Sequence, residues 1–68
     1  MPKYRLGKNY NVQNNTEHGH AETWRTYVEI IDSKGYITDF EAEGICKRDK
    51  NPRYFAYVVE NGWLVLKS

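Results

Sequence analysis

The sequence has few cysteines and no long hydrophobic run. Cys46 is the only cysteine among 68 residues, so the chain cannot form an intramolecular disulfide. This argues against the class of small secreted proteins that disulfides stabilise. No stretch reaches the roughly 20 apolar residues of a transmembrane helix, and the N-terminus has no signal-peptide core. We therefore expect a cytoplasmic protein without a membrane partner.

Residue types that carry catalysis or bind metals are also scarce. The two serines fall at expected turns or ends, and Glu41 and Glu43 lack the facing geometry that acid–base chemistry needs. His18 and His20 form a local pair, whereas structural zinc usually takes four closely spaced ligands. Cys46 is interpreted as a small core residue rather than a reactive thiol. The sequence predicts no enzyme, no metal site and no cofactor.

The charges are unevenly distributed although the net charge is only +1. The first ten residues are basic, residues 29–43 are acidic, and residues 47–53 form a second basic cluster that Asp49 interrupts. The charge of the whole chain predicts no strong attraction to nucleic acid. A local basic face is nevertheless expected around residues 47–53.

The first twenty residues differ in character from the rest. Residues 7–20 are polar, rich in Asn and without a period, which predicts a loop or a disordered tail. Before them, Tyr4 and Leu6 alternate with Lys3 and Arg5, as in a short strand. We divide the chain into a tail over residues 1–20, with at most one short strand, and a domain over residues 21–68. Removal of the tail is expected to cost little stability.

The spacing of apolar residues predicts a first helix over residues 22–33. Trp24, Tyr27, Val28 and Ile31 recur at i, i+3, i+4 and i+7, which places them on one helical face. Gly35 ends this segment, and a brief extended stretch follows it.

Two further helices are indicated by their start signals. Thr38 precedes Glu41 by three residues, the spacing of a capping box, and predicts a helix from Asp39. Its buried face would be Ala42, Ile45 and Cys46. Asn51 followed by Pro52 predicts a third helix with Asn51 as N-cap, running to about residue 60. That helix would bury Phe55, Ala56, Val58 and Val59, and residues 63–67 would form a strand.

An all-β antiparallel meander is the alternative fold. Asn61-Gly62 between apolar runs is a strong hairpin signal, and residues 33–35 could turn a second hairpin. Against this alternative, residues 54–59 carry no polar residue that would mark the solvated face of a strand.

The helical order resembles that of winged helix-turn-helix DNA-binding domains. The resemblance covers residues 21–68. Residues 24–31 correspond to the first helix, 35–38 to the strand that follows it and 39–46 to the second helix. Residues 52–60 correspond to the recognition helix, and residues 60–64 to the exit into the sheet. The resemblance implies a mainly α fold, with three helices and a small β-sheet. The second strand of the family's wing has no counterpart there. A large loss of stability on deletion of residues 1–20 would indicate that a strand from Tyr4 pairs beside residues 63–67 and replaces it.

The resemblance also implies a mechanism, in which the third helix enters the major groove and reads base edges. Arg53 would bind guanine or phosphate, and Tyr54 and Tyr57 would bind phosphate or stack on a base. Basic side chains before the helix would contact phosphates: Lys47, Arg48 and Lys50. The sequence leaves open whether these six are instead ordinary surface residues.

Together these features predict a small DNA-binding protein, a transcriptional or mobile-element regulator that uses residues 52–60 for recognition. So short a recognition face predicts a homodimer. The alternative is a protein-interaction module or inhibitor that docks on a larger protein, which the ten aromatic residues favour. A steep salt dependence of binding would indicate phosphate contacts rather than an aromatic interface.

Overall fold

A computed structural model describes residues 1–7 and 21–67. Within them the order of elements is β1 (Lys3–Leu6), α1 (Ala21–Lys34), β2 (Ile37–Thr38), α2 (Asp39–Arg48), α3 (Tyr54–Glu60) and β3 (Leu64–Leu66). The fold is mainly helical with a small antiparallel sheet, which confirms the predicted class. The all-β meander is wrong, because the helical period over α1 and the helix start at Thr38 are both realised.

The face of α1 that the spacing predicted is the centre of the core. Trp24, Tyr27 and Ile31 are buried, and Trp24 meets the ring of Trp63 edge-on with 6.0 Å between centroids. The Tyr27 hydroxyl donates a hydrogen bond of 2.8 Å to the carbonyl of Ala42. Because a buried hydroxyl needs a partner, this bond fixes how α1 lies on α2.

The start of α2 forms the predicted capping box. The Glu41 backbone N–H donates to Thr38 Oγ1 (3.2 Å), and the Thr38 backbone N–H donates to Glu41 Oε1 (3.1 Å). Each arm satisfies a backbone donor that the first helical turn would otherwise leave unpaired. On the inner side of the helix Ala42 and Cys46 are fully buried and Ile45 is partly buried, so Cys46 is a core residue as predicted.

Both α2 and α3 end in a Schellman motif, in which one residue adopts a left-handed conformation. At the end of α3 this residue is Gly62 (φ 74°), and the Trp63 N–H donates to the Val58 carbonyl (3.0 Å). Asn61-Gly62 therefore ends a helix instead of turning a hairpin. At the end of α2 the corresponding residue is Lys50 (φ 63°), and the Asn51 N–H donates to the Cys46 carbonyl (2.7 Å).

The start of α3 differs from the prediction. The helix begins at Tyr54 with Arg53 as N-cap, and Arg53 makes no side-chain capping bond. The Asn51 carbonyl accepts from the Tyr54 N–H (3.0 Å), which closes a turn over residues 51–54 ahead of the helix. The buried face also differs in part: Tyr54 joins Phe55 and Val58 in the core, whereas Ala56 is exposed and Val59 is only partly buried.

Strand β1 lies in the middle of the sheet, whose order is β2-β1-β3. Tyr4 pairs with Ile37 on one side and with Leu66 on the other, both antiparallel. Residues 3–6 thus form the one short strand that the sequence allowed. Because this strand pairs on both edges, we expect its deletion to lower the stability, in contrast to the low cost expected for residues 1–20 as a whole. The division of the chain at residue 20 stays a prediction, since residues 8–20 lie outside the described range.

A glycine follows β1 where the backbone passes close to the end of α3. The Gly7 N–H donates to the Trp63 carbonyl (2.7 Å), and a Cβ on Gly7 would overlap the carbonyl oxygen of Gly62. We expect Gly7→Ala to lower the free energy of unfolding by about 1–3 kcal/mol, because the backbone of β1 must move away from β3. Urea unfolding followed by circular dichroism measures the change.

Gly44→Ala is the matched control, since it adds the same methyl group elsewhere. Gly44 lies inside α2, and an added Cβ would meet nothing within 4 Å. The substitution should stabilise the protein by about 1 kcal/mol through helix propensity alone. Equal stability of the Gly7→Ala variant and the parent would contradict the close packing of β1.

Candidate functional site

The predicted basic cluster surrounds the turn between α2 and α3. Lys47 and Arg48 occupy the last turn of α2, Lys50 follows the helix, and Arg53 caps α3. All four side chains are exposed. The structure therefore brings these four predicted residues together on one end of the helical layer.

The acidic residue within the cluster, Asp49, is engaged on both carboxylate oxygens. Thr23 Oγ1 donates to Oδ2 (2.7 Å), and Arg48 Nε donates to Oδ1 (3.0 Å). The Thr23 bond and then the Arg48 bond lower the pKa of Asp49, so it is ionised at neutral pH. Asp49 thus offsets the charge of Arg48. Within the described residues Lys47, Lys50 and Arg53 form no ion pair.

Lys50 holds a conformation that favours glycine. Its φ of 63° lies in the left-handed region, where the Cβ of an L-residue crowds the backbone at a cost of about 1–2 kcal/mol. The other left-handed residues of the described chain, Gly35 and Gly62, are both glycines. Lys50 is therefore the residue of the cluster whose presence weakens the fold.

The two tyrosines that were predicted to contact nucleic acid are less exposed than the four basic residues. Tyr54 is only 3% exposed and packs against Tyr27, with 5.8 Å between ring centroids. Its assignment to an exposed binding face is wrong, because the helix that starts at Tyr54 turns Tyr54, Phe55 and Val58 inward. Tyr57 is partly buried and meets Trp63 edge-on at 5.4 Å.

A second group of basic residues was missed by the sequence analysis. Three lysine ammonium groups approach the ring of Tyr36, at 4.6 Å for Lys3, 5.0 Å for Lys34 and 5.3 Å for Lys67. Lys34 also contacts a carboxylate oxygen of Glu41 at 2.7 Å. The three lysines are far apart in sequence, and only the alternation of Lys3 and Arg5 with apolar residues indicated a face.

An open apolar groove lies between α1 and α2. It has a volume of about 360 Å³ and is lined by Ile30, Phe40, Glu41, Gly44, Ile45 and Arg48. Phe40 is 73% exposed at its edge, an unusual position for a large apolar side chain. This groove was not predicted from the sequence, because no periodic pattern marks Phe40 or Gly44 as lining residues.

Comparisons with family models, curated proteins and solved structures found no match to this chain. Over the described residues no group of three or more His, Cys, Asp or Glu could hold a metal ion. The pair His18 and His20 lies outside these residues. No helix in the described part is long and apolar enough to cross a bilayer.

Burial raises the pKa of Tyr27 and of Tyr54 above the ordinary value. The folded state therefore favours the protonated phenols. Their contribution to stability is complete below the pKa of an unfolded tyrosine, about 10, and is lost as the pH rises above it. We expect the free energy of unfolding to fall above about pH 10, measured by urea titration alongside tyrosinate absorbance.

The double variant Tyr27→Phe, Tyr54→Phe is the control for alkaline stability. Its free energy of unfolding should fall less steeply with rising pH, because neither phenylalanine ring can ionise. Complete ionisation of both phenols in the folded protein at an ordinary pKa would contradict their burial.

Proposed function

We propose that this protein binds DNA through the turn between α2 and α3, as a small transcriptional or mobile-element regulator in the cytoplasm. The observation that carries the proposal is Lys50, an exposed lysine in a left-handed conformation at a helix end. Strained residues cluster at functional sites, where the side chain matters more than the local stability. A lysine at a position that favours glycine supports a role for its charge.

The electrostatics of the turn support phosphate contact. Lys47, Lys50 and Arg53 are exposed within seven positions, and the intervening carboxylate of Asp49 is held by Thr23 and Arg48. Cations that lack an intramolecular partner release counterions when they bind phosphates, and this release supplies most non-specific affinity for DNA. Arg53, at the start of α3, is the residue we propose for contact with a base edge.

The order of the sheet supports the resemblance to winged helix domains. Strand β1 pairs antiparallel with β3, from Tyr4 opposite Leu66 to Leu6 opposite Leu64. It thus lies where the second strand of a wing would pair with the strand that follows the recognition helix. The winged helix interpretation remains a proposal that rests on this arrangement and on the three helices.

A second candidate function, protein interaction, is favoured by the groove at Phe40, and the partner we propose for it is a second copy of the chain. The first half of α2 is acidic and its second half, with Lys47 and Arg48, is basic. A two-fold axis near Gly44 would place each acidic half opposite a basic half and Phe40 against the open space beside the other helix. Arg48 lines this groove as well, so the two functions compete for its side chain.

The substitution Lys50→Gly tests the DNA-binding proposal because it should separate stability from binding. Removal of the left-handed strain should raise the free energy of unfolding by about 1 kcal/mol. Loss of one phosphate contact should weaken binding to all DNA sequences alike and reduce the salt slope by about one counterion. Thermal unfolding and fluorescence titrations of a DNA duplex at several salt concentrations give both values.

The control for Lys50→Gly removes a positive charge elsewhere, by the substitution Arg25→Gln. Glutamine is used because a glycine at position 25 would destabilise helix α1. Arg25 is exposed on α1 and makes no ion pair with the described residues. Its loss should leave the salt slope nearly unchanged. A Lys50→Gly variant that is more stable and binds DNA as tightly as the parent would refute the proposal.

Phe40→Ala tests the groove. If a second copy docks there, the dissociation constant of the dimer should rise at least tenfold, because a buried aromatic anchor carries much of the binding energy. Leu66→Ala, at another exposed apolar position, should leave it unchanged. Analytical ultracentrifugation over a range of concentrations measures the constants, and a parent protein that stays monomeric throughout would eliminate this partner.

A further inference from the structure

The outer side of the sheet carries a continuous set of basic side chains. Along β1 the exposed residues Lys3 and Arg5 alternate with the partly buried Tyr4 and Leu6, so both basic residues point away from the core. The Lys67 N–H donates to the Lys3 carbonyl (2.8 Å), which continues the pairing of β1 with β3 and places Lys67 beside Lys3.

Tyr36 lies next to these residues, and its ring makes cation–π contacts with three lysines. The ammonium groups of Lys3 and Lys67 are 4.6 and 5.3 Å from its ring centroid, and that of Lys34 is 5.0 Å away. We call the set Lys3, Arg5, Tyr36 and Lys67, with Lys34 at its edge, the basic sheet face.

This face has more positive charge than its own contacts neutralise. A cation near an aromatic ring at a solvent-accessible site gains only about 0.5–1 kcal/mol, and the ring leaves the positive charge of the lysines in place. Glu41 compensates Lys34 alone. Among the described residues none of the three strands contains an acidic side chain. A bound anion would meet several donors at once.

The basic sheet face lies at the opposite end of α2 from Lys50. Its neighbour Lys34 contacts Glu41 in the first turn of α2, whereas Lys50 follows the last turn of this ten-residue helix. Ten residues span about 15 Å, comparable with the roughly 12 Å width of the major groove. Two basic surfaces at this separation can contact phosphates on both sides of one groove.

We propose that the basic sheet face is a second phosphate-binding surface, which holds the backbone of duplex DNA while the turn between α2 and α3 contacts the same duplex. The identity of the ligand rests on the proposed function, whereas the affinity for phosphate rests on the lysines themselves. The three lysine ammonium groups surround the Tyr36 ring. The ring therefore positions these groups and does not stack on a base.

The test compares two double variants in salt-dependent titrations of a DNA duplex. The sheet variant is Lys3→Gln with Lys67→Gln, and the turn variant is Lys50→Gln with Arg53→Gln. Each should reduce the salt slope by about two counterions, because each removes two phosphate contacts. Lys3→Arg with Lys67→Arg keeps both charges and should bind like the parent, while Arg25→Gln reports the effect of net charge alone.

A second readout does not depend on DNA. Inorganic phosphate is titrated into the parent and the sheet variant, and the amide resonances of Lys3, Tyr36 and Lys67 are followed by nuclear magnetic resonance. Saturable shifts are expected in the parent and not in the sheet variant. Unfolding curves of both double variants should match that of the parent, since all four side chains are exposed.

The outcomes separate the two proposals. If only the turn variant loses affinity and phosphate causes no saturable shifts, the sheet inference is overturned and the proposed function stands. If the sheet variant loses affinity and the turn variant binds like the parent, recognition by the turn is overturned and the sheet surface stands. A parent that binds no DNA but shows saturable phosphate shifts would retain the anion site and remove duplex DNA as its ligand.

Discussion

The pairing of β1 between β2 and β3 is the constraint on which the rest of this structure depends. The four residues of β1 pair antiparallel with β2 on one edge of the strand and with β3 on the other. In the sequence, the helices α2 and α3 lie between β2 and β3. Without β1, the two outer strands would have no common neighbour, and their backbone groups would lack partners. The close passage of Gly7 by Gly62 continues this constraint beyond the strand. The core formed by Trp24, Tyr27 and Trp63 is therefore closed by a segment distant in sequence.

Two surfaces carry more charge or strain than the fold itself requires. Lys50 adopts a left-handed conformation that glycine occupies at the end of α3, and Lys3 and Lys67 share the surroundings of one tyrosine ring. Neither arrangement contributes much stability, because exposed charges gain little from one another in water. An anionic ligand gives both a common physical explanation. The DNA that we propose as ligand would reach them from opposite ends of α2, and this helix would then be the spacer between the two surfaces.

Much of the helical layer could be predicted because its signals are local. The i, i+3, i+4 and i+7 spacing of α1 and the exchange of bonds between Thr38 and Glu41 each involve a few neighbouring residues. The start of α3 could not be predicted in the same way. Asn51 and Pro52 carry a strong start signal, but the backbone of Asn51 already completes the end of α2. The Asn51 carbonyl accepts from the Tyr54 N–H in a turn that precedes the helix, and the helix that begins at Tyr54 buries this tyrosine in the core.

The sequence by itself determined the mainly α class, the capping box, the burial of Cys46 and the exposure of Lys47, Arg48, Lys50 and Arg53, because each follows from periodicity or from a short charged segment. Tertiary structure alone decided the order of the sheet, the conformation of Lys50 and the meeting of Lys3, Lys34 and Lys67 around Tyr36. These features depend on strand pairing between distant segments and on bonds at a helix end that two neighbouring elements share. Local sequence carries no information on which distant backbone will supply the partner, so packing had to select it.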